Sequence, residues 1–338
     1  MLLDCGEGTL ASLKRQFTPS EFRQFFKQLR MIFISHLHAD HHLGLIGVLK
    51  QYIKIQKSLP QNQRQPIFLF APWRLIASLY EFNQVENINL DDFLIPFSSG
   101  HLIPQHLLPP NNASSSGHNS TLDIGLFDGF LSSLNLVTVE TCLVPHCPQA
   151  YGIAMTHETG WKIVYSGDCR PSIELAQIGR NATLCIHEAT VANSEPRDAL
   201  DKMHCTTDEA ISIGKRMNAK FILLTHFSQK WSKVPEFVLE WSERGHGDDS
   251  KYENVGIAFD HMSVKIGDMW KLPMMFEAFE VLYLEEKERK TFLKRKSAQM
   301  GRVGGGSRVV DDEEPVTKKK KLQMEMLEEH IEVVGNVQ

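Results

Sequence analysis

A cluster of histidine and aspartate residues near the amino terminus constrains this chain more than any other feature. Segment 34–44 reads ISHLHADHHLG and follows the short apolar run Met31–Ile34. Its H-x-H-x-D-H pattern places metal-competent side chains so densely that they can face one small volume only from a sharp loop. Neutral imidazoles and carboxylates are the usual ligands of catalytic zinc. The segment therefore predicts a strand, a ligand-bearing loop and a helix, although a histidine-rich surface loop without metal is the alternative.

Spacing within the cluster assigns its side chains to two neighbouring positions. His36 and His38 point the same way in an extended loop, because side chains two apart share a face. Asp40 and His41 lie where the loop turns into the helix and can reach a second ion, and two ions about 3.5–4 Å apart form the clamp of many phosphatases and nucleases. His42 faces away and is interpreted as a packing or ligand-supporting group.

Further candidate ligands follow apolar strands downstream. His146 comes after the run 136–143, Asp168 ends the stretch IVYSGD, and His226 ends the stretch FILLTH. Each of these residues alone is weak evidence for a metal site, since a lone histidine after a strand is more often a satisfied core or surface residue. The inference of a metal site rests on the repetition of the same arrangement after several strands.

This ordered set resembles the metallo-β-lactamase superfamily, whose fold is an α/β structure, an αβ/βα sandwich. The resemblance implies that His36, His38 and His146 hold one zinc ion, that Asp40, His41 and His226 hold the other, and that Asp168 bridges them. It also implies that Asp4, in the opening LLDCGEGT, supports the ligand loop.

Two further motifs resemble those of ribonuclease Z (tRNase Z), which trims the 3′ end of precursor tRNA. They are HEAT at 187–190 and HCT at 204–206, where Cys205 replaces the usual serine. The resemblance covers about residues 1–270 and is closest to the carboxyl-terminal half of the eukaryotic long form. It implies that Glu188 orients His204 as general acid and that Asp40 orients the attacking water and accepts its proton. Both motifs could instead be only helix caps.

Composition bounds the class of protein. The chain has 338 residues, 42% hydrophobic and 23% charged, with a net charge of −5. These values are typical of a globular protein with one large domain and an appendage. No apolar run reaches the roughly 18 residues that span a bilayer, so no membrane partner is expected. Six cysteines without C-x-x-C spacing predict reduced thiols in an intracellular protein.

Composition shifts predict two regions. Residues 1–272 are expected to form the catalytic domain, with a flexible insertion at 98–122, and 273–338 a charged helical and disordered tail. His101, His106 and His118 in the insertion are interpreted as solvated, and His261 as structural. The cluster Lys318–Lys321 is either a nuclear-import signal or a solvated tail. Family members serve nucleus and mitochondrion, and the sequence favours the nucleus.

The chain departs from the family at its start. Members normally place strands and a glycine-rich loop before the LLDCGEG segment, and long forms add an amino-terminal half that grips tRNA. The chain is therefore predicted to be amino-terminally truncated, with an exposed sheet edge that favours self-association or pairing with an amino-terminal half.

The predicted function is zinc-dependent endonucleolytic removal of the 3′ trailer from precursor tRNA, with two zinc ions per chain. It would leave a tRNA 3′-hydroxyl and a trailer 5′-phosphate. Two alternatives stay open. One is another hydrolase of the superfamily, such as a thioesterase or a nuclease with a β-CASP insertion. The other is a non-catalytic truncated interaction protein of the same fold.

Overall fold

Short parallel strands alternate with helices in the first part of the chain. The computed structural model describes residues 1–108, 123–228 and 252–276. The first elements are β1 (Leu2–Leu3), α1 (Thr9–Gln16), α2 (Pro19–Gln28), β2 (Met31–Phe33), α3 (Ala39–His42), α4 (Leu45–Lys57), β3 (Ile67–Ala71), α5 (Trp73–Glu86) and β4 (Leu94–Ser98). The four strands form a parallel sheet in the order β1-β2-β3-β4.

A second sheet follows. Its elements are α6 (Ile124–Ser133), β5 (Leu136–Leu143), β6 (Tyr151–His157), β7 (Lys162–Tyr165), α7 (Ile173–Ile178), β8 (Leu184–Glu188), α8 (Pro196–Asp201), α9 (Thr207–Arg216), β9 (Phe221–Thr225) and β10 (Val255–Ile257). The strand order is β10-β9-β8-β7-β6-β5. Strands β7 to β10 are parallel, and β5 and β6 are antiparallel additions at one edge.

The two sheets pack face to face and helices cover the outer faces. Aromatic side chains of the first sheet, including Phe33, Phe70 and Phe97, share a buried cluster with Val139 and Ile153 of the second sheet. The opposite face of the first sheet packs on α2, α4 and α5, and α7 and α9 pack on the second sheet. Burial on both faces explains why the parallel strands are continuous apolar runs. The predicted αβ/βα sandwich is confirmed.

The segment predicted to be a flexible insertion begins with residues that pack against the second sheet, and its boundary at residue 98 stays a prediction. Residues 99–102 and 105–107 form 3-10 turns, and Ser99 and Leu102 are buried. The hydroxyl of Thr141 donates to the carbonyl of Ser99 at 2.6 Å, which anchors this segment to β5. The Pro-Asn-Ser-rich residues 109–122, with His118, lie outside the described residues.

The chain separates into two units by contact density. One comprises Met1–Trp231 and Gly247–Pro273, and the other Ser232–His246 and Met274–Gln338. Residues 277–338 of the predicted tail, with the lysine cluster at 318–321, lie outside the described residues, and the domain boundary at 272 stays a prediction. Within the described part of the chain, no helix is long and apolar enough to cross a membrane.

Candidate metal centre

The candidate ligands converge where strands of both sheets end. His36, His38, Asp40 and His41 occupy the turn from β2 to α4, as predicted from the spacing. His146, Asp168 and His226 follow β5, β7 and β9 in the second sheet. The carboxyl ends of parallel strands meet at one edge of a sheet, which is where ligands of α/β proteins gather. Side chains far apart in the chain therefore share one volume.

Donor atoms form overlapping groups, each small enough to hold one ion. His36, His38 and His146 lie together with Cys147, and Asp40, His41 and His226 form a second group, with donor atoms in each within 4.8 Å of one another. Asp168 lies between them: its Oδ2 is 3.1 Å from His41 Nε2, 3.5 Å from His226 Nε2 and 3.9 Å from His36 Nε2. The predicted residues are thus brought together, while their roles as ligands remain a proposal.

Hydrogen bonds to the outer ring nitrogens turn four imidazoles toward this volume. Nδ1 of His41 donates to Asp4 Oδ2 at 2.6 Å, and Nδ1 of His146 donates to the Met203 carbonyl at 2.8 Å. Nδ1 of His36 lies 2.9 Å from the Ser35 hydroxyl, and Nδ1 of His226 lies 2.8 Å from the Thr190 hydroxyl. A proton on each Nδ1 leaves the Nε2 lone pair facing inward, as in metal-bound histidines.

The donor set fits a divalent cation. Among the described residues, Nε2 of His36 and Nε2 of His41 are buried and make no well-aligned hydrogen bond, although Nε2 of His41 lies 3.1 Å from Asp168 Oδ2. A buried unsatisfied nitrogen is costly, and a cation between these atoms and Asp168 would satisfy both. Imidazole and carboxylate donors suit zinc.

Burial and neighbouring side chains shift the pKa values of His36, His41 and Asp168 strongly. Burial and the neighbouring His41 lower the pKa of His36 to about 2. Burial opposes charge on His41, but its interactions with Asp168 and Asp4 raise its pKa to about 10. Burial likewise opposes ionisation of Asp168, yet the histidines around it hold its pKa well below the usual range. The raised pKa of His41 shows that the carboxylates of Asp4 and Asp168 favour a positive charge at this position, where a metal cation could replace the proton.

Asp4 makes hydrogen bonds to the loop that carries the candidate ligands, and its supporting role stays a prediction. Its Oδ1 accepts from the Ser35 amide, and its Oδ2 accepts from the Ser35 hydroxyl, each at 2.7 Å. Oδ2 also accepts from the Tyr165 hydroxyl at 2.7 Å, besides His41. Sequence reasoning gave no role to Ser35 or Tyr165. Their positions, just before the cluster and at the end of β7, were the only signal.

The predicted pair Glu188 and His204 lies beside this cluster. His204 Nδ1 donates to Glu188 Oε1 at 2.9 Å and lies 3.9 Å from Asp168 Oδ2. Glu188 is 1% exposed and also accepts from the Cys169 amide, the Thr190 amide and the Thr190 hydroxyl. Burial disfavours charge on His204, but Glu188 raises its pKa above the ordinary value. The contacts of Glu188 thus include the ring of His204 as well as backbone amides, and its predicted orienting role stays a proposal.

The other histidines considered in the sequence analysis belong neither to the candidate ligand set nor to the Glu188–His204 pair. His42 is half-buried, and its Nδ1 donates to the His38 carbonyl at 2.9 Å, which suits its prediction as a ligand-supporting group. His106 and His261 are exposed and His101 is half-buried. Cys205 is buried with Cys169 and His187, and all six cysteines are free thiols.

The sandwich fold and the histidine–aspartate cluster at its strand ends define a protein of the metallo-β-lactamase class. The sequence matches the family described as Beta-lactamase superfamily domain over residues 1–227, and the chain belongs to this family.

Relatives confirm the resemblance to ribonuclease Z. The chain is 38% identical over 292 residues to the zinc phosphodiesterase ELAC protein 2 of Rattus norvegicus, covering 85% of this chain and 32% of that protein. It is 36% identical to ribonuclease Z 1 of Schizosaccharomyces pombe, with the same coverage. The crystal structure of a long-form RNase Z from yeast superposes with a TM-score of 0.71 at 31% identity, covering 82% of this chain and 38% of that one. The chain thus spans about a third of these relatives' length.

Proposed function

We propose that this chain is a zinc-dependent endoribonuclease that removes the 3′ trailer from precursor tRNA. Products would be a tRNA with a 3′-hydroxyl and a trailer with a 5′-phosphate. The observation that carries the proposal is the Glu188–His204 pair, 2.9 Å apart, placed against the metal-ligand cluster. A metal cluster alone would suit many hydrolases of the superfamily. The pair adds a proton donor, which the hydrolysis of an unactivated phosphodiester requires.

Two zinc ions are proposed, one held by His36, His38 and His146 and the other by Asp40, His41 and His226, with Asp168 between them. When bound, such ions lower the pKa of water and neutralise charge on phosphate oxygens. Asp40 is exposed, with 67% of its side chain accessible, so it can reach water at the cleft and accept a proton.

His204 supplies a proton to the departing ribose oxygen. A histidine held by a carboxylate is a suitable general acid near neutral pH. Nδ1 is engaged by Glu188, so Nε2 is the nitrogen that can donate to the 3′ oxygen of the tRNA. The relatives' names support the same reaction class, since they denote a zinc phosphodiesterase and a ribonuclease Z.

A direct test incubates the purified chain with a 3′-extended tRNA precursor and maps the cut. We expect His204→Ala to lower kcat roughly 10²- to 10⁴-fold, the usual contribution of general acid catalysis, with zinc content unchanged. His157→Ala is the matched control, because His157 stacks on Trp161 at the end of β6, outside the ligand set.

Equal loss of zinc and turnover in His204→Ala would contradict the catalytic role and make His204 structural. Absence of both bound zinc and cleavage in the wild-type chain would support the inert interaction protein. Two zinc ions per chain without RNA cleavage would instead support another hydrolase of the superfamily.

Finer properties belong to the same proposal. Precursor tRNA is the proposed partner. Self-association or pairing with an amino-terminal half would occur at β1, which forms the edge of the described first sheet.

Use in the nucleus is proposed from the lysine cluster. Use in the mitochondrion is proposed from the 33% identical relative of Drosophila melanogaster named ribonuclease Z, mitochondrial.

A further inference from the structure

One guanidinium group joins the loops that carry the candidate catalytic residues. Arg170 follows the loop of Asp168, and its Nη1 donates to the backbone carbonyl of His204 at 2.6 Å. The same group binds Glu209 on α9 through two bonds, of 2.7 Å from Nη1 and 2.6 Å from Nη2. The backbone amide of Arg170 donates to the carbonyl of Pro145, next to the candidate ligand His146.

We infer that Arg170 is a positioning residue that, with Glu209, fixes the backbone of His204 so that its ring meets Glu188 and the leaving oxygen. The inference rests on the proposed function. Glu188 fixes only one nitrogen of the ring, which leaves the backbone behind the ring to be fixed separately. The bond from Arg170 to the His204 carbonyl attaches this backbone on the carboxyl-terminal side of the residue.

The loop before His204 needs such an attachment. Met203 has φ +58°, a left-handed conformation that is unfavourable for a side chain of its size. Its carbonyl accepts from Nδ1 of His146, and the His204 amide donates to the Ala199 carbonyl at 2.9 Å. The loop is thus held by several bonds to neighbouring segments. The bond from Arg170 adds to these, because it holds the peptide group that joins His204 to the next residue.

Glu209 connects this attachment to the start of α9. Thr206 and Glu209 form a capping box, in which the Thr206 amide donates to Glu209 Oε2 at 2.9 Å. The same oxygen accepts from Arg170. Side-chain exposure is 17% for Arg170 and 32% for Glu209, so the bidentate pair is partly shielded from water and keeps more of its strength than a surface pair. The planar fork of arginine fits a carboxylate and a carbonyl together, which a lysine ammonium cannot match.

The experiment compares Arg170→Met and Arg170→Lys with the control Lys50→Met, which removes a cation from the exposed Lys50–Glu86 pair between α4 and α5. Two substrates are used: a 3′-extended tRNA precursor and bis(p-nitrophenyl) phosphate, whose phenolate leaves without protonation. For Arg170→Met we expect kcat to fall roughly 10- to 100-fold on the precursor, as is typical when a supporting residue is lost. On the activated diester kcat should fall less than about threefold, because that reaction does not need the proton of His204.

A double-variant cycle separates positioning from general destabilisation. If Arg170 acts through His204, Arg170→Met added to His204→Ala should lower kcat on the precursor by no more than about twofold further. Arg170→Lys should lie between Arg170→Met and wild type. Independent, multiplied losses in the double variant, or equal losses on both substrates, would overturn the inference.

Hydrogen exchange gives a readout that does not depend on activity. The amides of His204 and Thr206 are both hydrogen-bonded, and each should exchange at least about tenfold faster in Arg170→Met but not in Lys50→Met. Unchanged exchange would overturn the inference even for an active enzyme. If the wild-type chain does not cut tRNA, the proposed function fails, and exchange still decides whether Arg170 holds this loop. Should Arg170→Met not fold, Arg170→Lys and Glu209→Gln serve for the same measurement.

Discussion

At the scale of single residues, the candidate site is defined by where each imidazole places its two nitrogens. His36, His41, His146 and His226 each engage Nδ1 in a bond to a neighbouring group. Four inward-facing Nε2 atoms could not arise from sequence spacing, because spacing does not fix a tautomer. They arise from partners such as Asp4, Thr190 and the Met203 carbonyl.

Asp4→Asn should weaken metal binding. The Asp4 carboxylate accepts four hydrogen bonds, from the amide and hydroxyl of Ser35, from His41 and from Tyr165. An asparagine amide would place N–H groups against some of these donors. It would also remove the negative charge that favours a positive charge at His41. We expect zinc affinity to fall roughly 10- to 100-fold, measured by competition with a chromophoric chelator.

The matched control is Asp123→Asn. Asp123 caps α6 through a bond to the Leu126 amide, and asparagine caps helices as well as aspartate does. Its zinc affinity should equal that of the wild type, and an Asp4→Asn variant that also bound zinc like wild type would refute the supporting role.

At the scale of elements, close backbone contacts fix where the ligand loop lies. The amide of Gly44 donates to the Cys5 carbonyl, and the amide of Cys5 donates to the His41 carbonyl. A Cβ at Gly44 would lie 2.0 Å from the carbonyl oxygen of Gly6, which belongs to the backbone and cannot rotate away. The loop after β1 and the loop after β2 can therefore approach this closely because position 44 carries no side chain.

Gly44→Ala and Gly47→Ala should act in opposite directions. The alanine methyl at 44 forces the two loops apart, at a cost of about 1–3 kcal/mol. At position 47, inside α4, the nearest atom to an added Cβ is 3.9 Å away, so alanine should stabilise the helix by about 0.5–1 kcal/mol. Denaturant unfolding of the two variants measures both effects. A Gly44→Ala chain as stable as wild type would show that this close approach does not depend on glycine.

At the scale of the whole molecule, the candidate centre draws on both sheets. The cluster 36–41 comes from the first sheet, and His146, Asp168 and His226 come from the second. A bound ion would therefore connect the two sheets as well as serve chemistry, and metal binding should stabilise the folded state by mass action.

Metal removal should accordingly lower thermal stability. Zinc present at about 100 times its dissociation constant stabilises by about 2.7 kcal/mol. For a unit of this size that corresponds to a Tm lower by roughly 5–10 °C after chelation, restored by zinc add-back. Calorimetry with and without chelator measures the shift. His36→Ala, which removes a candidate ligand, should show a much smaller response to chelator, and a full response in that variant would exclude His36 as a ligand.

Much of this molecule could be predicted from sequence, because the relevant information is local. Apolar runs predicted the strands β2, β5 and β9 to within about two residues. The dense cluster at 36–41 and the single residues after later strands gave the candidate ligands, since parallel strands place their carboxyl ends at a common edge.

Tertiary structure decided what local patterns do not encode. The segment after residue 98 is composed like a loop, yet Ser99 and Leu102 are buried because β5 offers them a partner. The ring orientations of the histidines and the Arg170–His204 attachment likewise depend on atoms that are distant in sequence. The sequence by itself determined which chemical groups are present and at which strand ends they lie. Only the folded chain decided their directions and partners, because hydrogen bonds between separate loops form only after the two sheets have packed.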